Sequence, residues 1–187
     1  MRTTALRLLT LILTATFAHP ALADFKVRSA EPYIEDRVIH VNTQFELALN
    51  PKTEEALNKG IPLEVVVDIN LVKHRWWWTN KVITDSTFRR RISFHALSRQ
   101  YLVTGLHQSE PTESFSSLSQ ALAYMSDFTE VLMPLTAKKQ FDDDGRYLVT
   151  MRARLDIEAL PTLMRPLAYA TPSWHLSTGW NEWPVQP

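Results

Sequence analysis

The chain has 187 residues, with 20 Lys and Arg, 20 Asp and Glu, four glycines and no cysteine. Lack of cysteine excludes disulfides, thiolate catalysis, thiolate metal sites and a lipidated N-terminal cysteine. Balanced charge gives no basis for nucleic-acid binding, and the isolated Gly60, Gly105, Gly145 and Gly179 cannot form a phosphate-cradling loop.

Residues 1–23 have the pattern of a signal peptide. Arg2 and Arg7 form a basic head, residues 8–18 an apolar stretch, and Ala21-Leu22-Ala23 a small-x-small cleavage pattern. The apolar stretch is shorter than the roughly 20 residues that span a bilayer. Cleavage after Ala23 is expected, leaving residues 24–187 as one exported domain with 18 basic and 20 acidic residues. Such a length supports a single hydrophobic core.

Residues 25–48 read as strands broken by a turn near Glu31-Pro32, with Val41, Phe45, Leu47 and Leu49 on an apolar side. Asn50 can cap a short helix over 51–59, Pro51 suits its first position and Gly60 its left-handed stop. Residues 61–72 alternate as a strand. Leu63, Val65, Val67, Ile69 and Leu71 take one face; Glu64, Asp68 and Asn70 take the other. Residues 73–83, with the tryptophans, continue as a second extended segment, and 91–106 form a hairpin turning at Ser98-Arg99.

Residues 107–116 read as a polar loop. Ser117 and Gln120 then make a capping-box start, and Leu118, Ala121, Leu122, Met125, Phe128 and Leu132 repeat at helical spacing up to Pro134. Asp142-Asp143-Asp144-Gly145 turns between 137–141 and 147–157. In the latter segment Tyr147, Val149, Met151, Ala153 and Leu155 face in; Thr150, Arg152, Arg154 and Asp156 face out. Pro161 and Pro166 bracket an irregular link, and 174–185 is a last extended segment.

About seven short strands without crossover helices exclude a parallel sheet. The predicted fold is mainly β: an antiparallel, immunoglobulin-like β-sandwich with one amphipathic helix and one short helix.

Trp76-Trp77-Trp78 is the most conspicuous run. In a strand, Trp76 and Trp78 share one face about 7 Å apart and Trp77 takes the other. The run either enters the core or forms an aromatic platform for sugar rings or a protein partner. Trp174, Trp180 and Trp183 make a second aromatic group. Arg89-Arg90-Arg91 is a basic run entering a strand; it reads as a solvated face paired with carboxylates, or as a surface for an acidic partner or anionic membrane. Arg152 and Arg154 extend that basic character.

No catalytic, cofactor or metal site is assigned. His40, His74, His95, His107 and His175 lack helical metal spacing, and the contiguous aspartates lack the alternate ligands of a calcium loop. There is no G-x-S-x-G elbow, while triads or carboxylate pairs assembled in space leave no sequence mark. Enzymatic activity therefore stays open without support.

Several stretches together resemble DUF4390, a family of uncharacterised proteins. They are Gly60-Ile61-Pro62-Leu63, Arg75-Trp76-Trp77-Trp78, His95 to Tyr101, Phe115 to Leu122, Tyr147 to Leu160 and Trp174 to Trp180. The resemblance implies a signal-bearing periplasmic protein of Gram-negative bacteria, without assigned catalytic residues, and lends support to a signalling or envelope role. The expected function is a non-catalytic interaction module for an envelope protein or the sensing domain of a membrane kinase, through Trp76, Trp77, Trp78, Arg89 and Arg90. The alternatives are a cell-wall glycan-binding module or glycan hydrolase, and a structural protein whose tryptophans are all core.

Overall fold

The alternation over residues 63–73 organises the molecule, because it builds a strand with one fully apolar face at the centre of a sheet. The structure is a computed structural model that describes residues 24–35, 38–75, 80–105, 111–134 and 146–185. In chain order the described residues form β1 (Phe25–Glu35), β2 (Val38–Leu47), α1 (Pro51–Asn58), β3 (Leu63–Lys73), β4 (Lys81–His95) and β5 (Gln100–Gly105). Then follow β6 (Thr112–Phe115), α2 (Leu118–Ser126), β7 (Asp127–Pro134), β8 (Tyr147–Leu155), α3 (Arg165–Ala170) and β9 (Asn181–Pro184).

Two antiparallel sheets result, ordered β1-β2-β7 and β6-β5-β4-β3-β8-β9. Val65, Val67, Ile69 and Leu71 of β3 and Val149, Met151 and Ala153 of β8 join one core with Phe25, Ile39, Val41, Phe45 and Met133 of the smaller sheet. The fold is thus mainly β, with two antiparallel sheets about one core, as expected. Nine strands occur among the described residues rather than about seven. In the larger sheet β3 to β6 form a consecutive meander, not the Greek-key order of immunoglobulin domains.

Local chemistry explains where elements start and stop. The Asn50 carboxamide oxygen accepts from the Lys52 and Thr53 amides, Pro51 opens α1, and Gly60 ends it at φ +87°. The Ser117 hydroxyl likewise accepts from the Gln120 amide at the start of α2.

Several boundaries differ from the sequence reading. α2 ends at Ser126 and the chain becomes β7, although helical spacing continues through Phe128 and Leu132. The apparent period comes from a β-bulge: Val131 pairs with Val41 and Phe128 with Thr43, so two residues of β7 stand opposite one of β2. The bulge shifts parity, and both Phe128 and Val131 reach the core although they are three residues apart. A bulge between Val27 and Ser29 does the same in β1, which runs through Glu31 and Pro32 instead of turning there. β1 is an edge strand, where proline is tolerated.

Thr112–Phe115, read as loop, is the edge strand β6 paired with β5; short polar edge strands resist unwanted pairing. Of the extended segment expected over 73–83, Lys73 ends β3 and Lys81 begins β4, and the two residues pair antiparallel; residues 76–79 lie outside the described residues. The last segment is a 3₁₀ turn at Pro172–Trp174, a bridge from Ser177 to Arg154, and β9. The turn expected at Asp142–Gly145 and the strand at 137–141 lie outside the described residues.

Candidate functional site

The face of β3 that turns away from the core carries Glu64, Val66, Asp68 and Asn70. Register places Arg91 beside Glu64, then Arg89 and Arg154 on either side of Val66, then Thr87 and Arg152 on either side of Asp68. Two-residue periodicity on three neighbouring strands thus brings four arginines onto one surface. Asp156, just past β8, joins them.

The side chains interlock. Arg89 Nη1 donates to Glu64 Oε1 at 3.0 Å and to Asp156 Oδ2 at 2.6 Å, while Arg91 Nη2 donates to Glu64 Oε2 at 3.1 Å. Arg152 Nη2 and Arg154 Nε share Asp68 Oδ2 at 2.8 and 3.4 Å. Arg154 Nη1 closes the ladder 3.6 Å from Asp156 Oδ1. Four guanidiniums therefore face three carboxylates. The carboxylate side chains of Glu64 and Asp156 are 5% and 9% exposed, but those of Arg89 and Arg91 are 40% and 48% exposed. The acids lie beneath and the bases above. Val66 is fully buried on this same face, and the arginine stems on both sides are suited to cover it.

Electrostatics follow from that layering. Burial raises the Asp68 carboxyl, but hydrogen bonds from Arg152 and Thr87 and the charges of Arg154 and Arg152 outweigh it. Its pKa consequently lies below the ordinary 3.8. The Arg89 guanidinium is held protonated still more firmly than usual, chiefly by its bonds to Asp156 and Glu64.

Two features flank the ladder. The Arg152 guanidinium sits 4.6 Å from the centre of the Trp180 ring, and Trp180 is 48% exposed. Beyond Arg154 a cleft of about 250 Å³ is lined by Asp156, Glu158, Tyr169 and His175, among others. There Tyr169 Oη donates to Glu158 Oε1, a bond that raises the tyrosine pKa, and Arg165 Nη1 holds Glu158 Oε2 at 3.3 Å. Among the described residues no cluster of three or more His, Asp or Glu side chains is arranged to hold a metal.

Of the residues expected to form the interaction surface, Arg89 lies in the ladder. Arg90 does not, because neighbouring residues of a strand face opposite sides. Its guanidinium turns inward and donates to the backbone carbonyls of Tyr124 at 3.0 Å, Met125 at 3.5 Å and Asp127 at 2.6 Å. It also stacks 4.3 Å from the centre of the Phe128 ring. Arg90 thereby secures the C-terminal end of α2. Trp76, Trp77 and Trp78 lie outside the described residues; His74 and Asn80 on either side of them meet at 3.2 Å. In the C-terminal aromatic group, Trp174 is buried and Trp183 packs partly against the core, leaving Trp180 outward.

Sequence reasoning singled out neither Arg91 as distinct from Arg90, nor Glu64, Asp68 and Trp180 as members of a site. The period of two in β3 and β4 was the available signal for the first three. Trp180 was marked only as one of a second aromatic group, and its pairing with Arg152, 28 residues away, had no sequence signal.

Comparison with known proteins adds one relationship. A family model described as "Domain of unknown function (DUF4390)" matches residues 23–184. The chain belongs to the DUF4390 family. No curated protein and no solved structure matches it. In this DUF4390 chain the match takes in both sheets, the arginine ladder and α2 together.

Proposed function

We propose that the chain is an exported, non-catalytic protein-interaction module of the periplasm, which binds an envelope protein or the sensing domain of a membrane kinase. The observation that carries this reading is the outer ladder: four partly exposed arginines over buried carboxylates, with Trp180 beside them. Arginine and tryptophan are the side chains that most often dominate protein interfaces. Here the guanidiniums are prealigned by Glu64, Asp68 and Asp156, so little side-chain entropy is lost on binding. Within the ladder the arginines outnumber the carboxylates by one, while Asp85 and Glu182 take register positions farther along the same face. Export rests on the leader pattern of residues 1–23, and N-terminal sequencing of the mature protein is expected to read from Asp24.

The test is a photo-crosslinking residue at position 180 in living cells, repeated with Arg91→Glu. One dominant envelope protein, lost on charge reversal while the domain stays folded, is the expected result. Capture unaffected by the reversal, or no capture at all, counts against this face.

Half-exposed Trp180 is also the observation favouring a glycan-binding reading, since an indole face can stack on a sugar ring. That reading expects tryptophan fluorescence to change with soluble cell-wall fragments at millimolar concentration and to stay flat in Trp180→Ala. A flat titration of the unaltered protein rejects it.

A further inference from the structure

The three-stranded sheet ends unevenly. β1 pairs with β2 as far as Phe25 opposite Leu47, whereas β7 pairs with β2 only to Asp127 opposite Gln44. Over Phe45–Leu47 the β7 side of β2 therefore has no strand beside it among the described residues. α2 stands there instead. By holding the carbonyls of Tyr124, Met125 and Asp127, Arg90 secures the point where the helix gives way to β7.

Between the open edge and the helix lies a groove of about 560 Å³. One wall is Phe45–Leu49, and the other is the α2 face carrying Leu118, Leu122 and Ala123. Leu49, Leu118 and Leu122 are apolar and only partly buried. The mouth is acidic. Arg28 already pairs with Glu46 at 3.6 Å, and Glu54 adds a second carboxylate that it does not offset.

The unpaired end of a strand facing a helix across a partly apolar groove is an arrangement that can accept an extended peptide: main-chain bonds supply affinity, and alternate side chains supply specificity. We propose that this groove docks an extended segment of a protein partner as an added strand on β2. The segment has alternating apolar residues that rest on Leu118 and Leu122 and a Lys or Arg that faces Glu54. The inference rests on the reading of the chain as an interaction module, but uses none of the ladder residues.

A displayed library of random twelve-residue peptides, selected on the purified protein, tests it. Enriched peptides are expected to alternate apolar residues, to carry a basic residue and to shift the amide resonances of residues 45–49. Ala123→Trp, which fills the groove from an exposed helix position, is expected to weaken them at least tenfold. Ser119→Trp provides a second block should the first variant unfold. Glu54→Gln should weaken the basic peptides by about two- to fivefold, the range of an exposed ion pair. Lack of enrichment, equal binding to the folded blocked variants, or amide shifts confined to the ladder would overturn the proposal. So would a concentration-dependent dimer abolished by Ala123→Trp, which would make a second copy the occupant. Crosslinking at position 180 that persists in Ala123→Trp separates failure of the groove from failure of the ladder reading.

Discussion

Arg89 and Arg90 are consecutive residues of one strand, yet they belong to two different chemical worlds. Arg89 lies on the open face of the larger sheet, bridging Glu64 and Asp156 with solvent above it. Arg90 lies on the core side, where its hydrogen bonds go to backbone carbonyls and its flat face goes to Phe128. The same guanidinium serves charge pairing on one side and helix termination on the other. The difference teaches that a basic run within a strand is not a patch, because every second charge is sent to the opposite side.

The two faces differ equally in what replacement should do. The largest effect is expected at the centre of the inner face. Ile69 is fully buried, and Ile69→Ala should cost about 3–4 kcal/mol in chemical denaturation, as lost transfer energy plus a cavity. A loss below 1 kcal/mol would show that the two sheets are not closely packed. Next comes Arg90→Ala, expected to cost about 2–3 kcal/mol because the carbonyls at the end of α2 lose charge-assisted donors. Hydrogen exchange should locate that loss at α2 and the start of β7. If Arg90→Ala were as mild as Arg91→Ala, the contrast between the faces would collapse.

Asp68 sharpens the comparison through pH. Its folded pKa is lowered, so its contribution is present above the ordinary value of 3.8 and is lost as pH falls through the lower folded value. Asp68→Asn should cost about 1–2 kcal/mol at pH 7, since two guanidiniums lose a shared charge. The gap to the unaltered protein should then narrow as pH falls through the lowered folded value, since both side chains are neutral below it. Unfolding curves at neutral pH and in acid check this, and a gap that is unchanged or wider in acid would contradict the assignment. Smallest is Arg91→Ala, expected below about 1 kcal/mol because its partly exposed head faces solvent. Its loss should fall on partner capture instead, read by crosslinking at position 180.

Much of the architecture was legible in the residues. Asn50, Pro51 and Gly60 mark both ends of α1 because capping is a local transaction between a side chain and the nearest amides. The facing of β3 and β8 could be read from their period of two, and it held in register across the sheet. What misled was the spacing of Phe128, where a bulge in β7 imitates a helical period. A bulge is a property of a strand pair, and β2, the partner, lies more than 80 residues earlier in the chain. The candidate surface divided in the same way. Arg89 could be placed as basic and facing out, whereas the buried acids that align it come from β3 and from the turn after β8.

Sequence alone therefore determined what depends on near neighbours: the cap-delimited short helix, the central alternating strands, the absence of thiol chemistry and the leader pattern at the N-terminus. The tertiary structure decided what depends on partners far apart in the chain. It closed the ladder from Glu64, Arg89, Arg154 and Asp156, and set Arg152 against Trp180. It also turned Arg90 inward and stopped β7 short of the end of β2. The physical reason is range: propensity and capping act over a few residues, whereas guanidinium pairing, bulge register and groove formation require strands that only folding brings within a few ångströms.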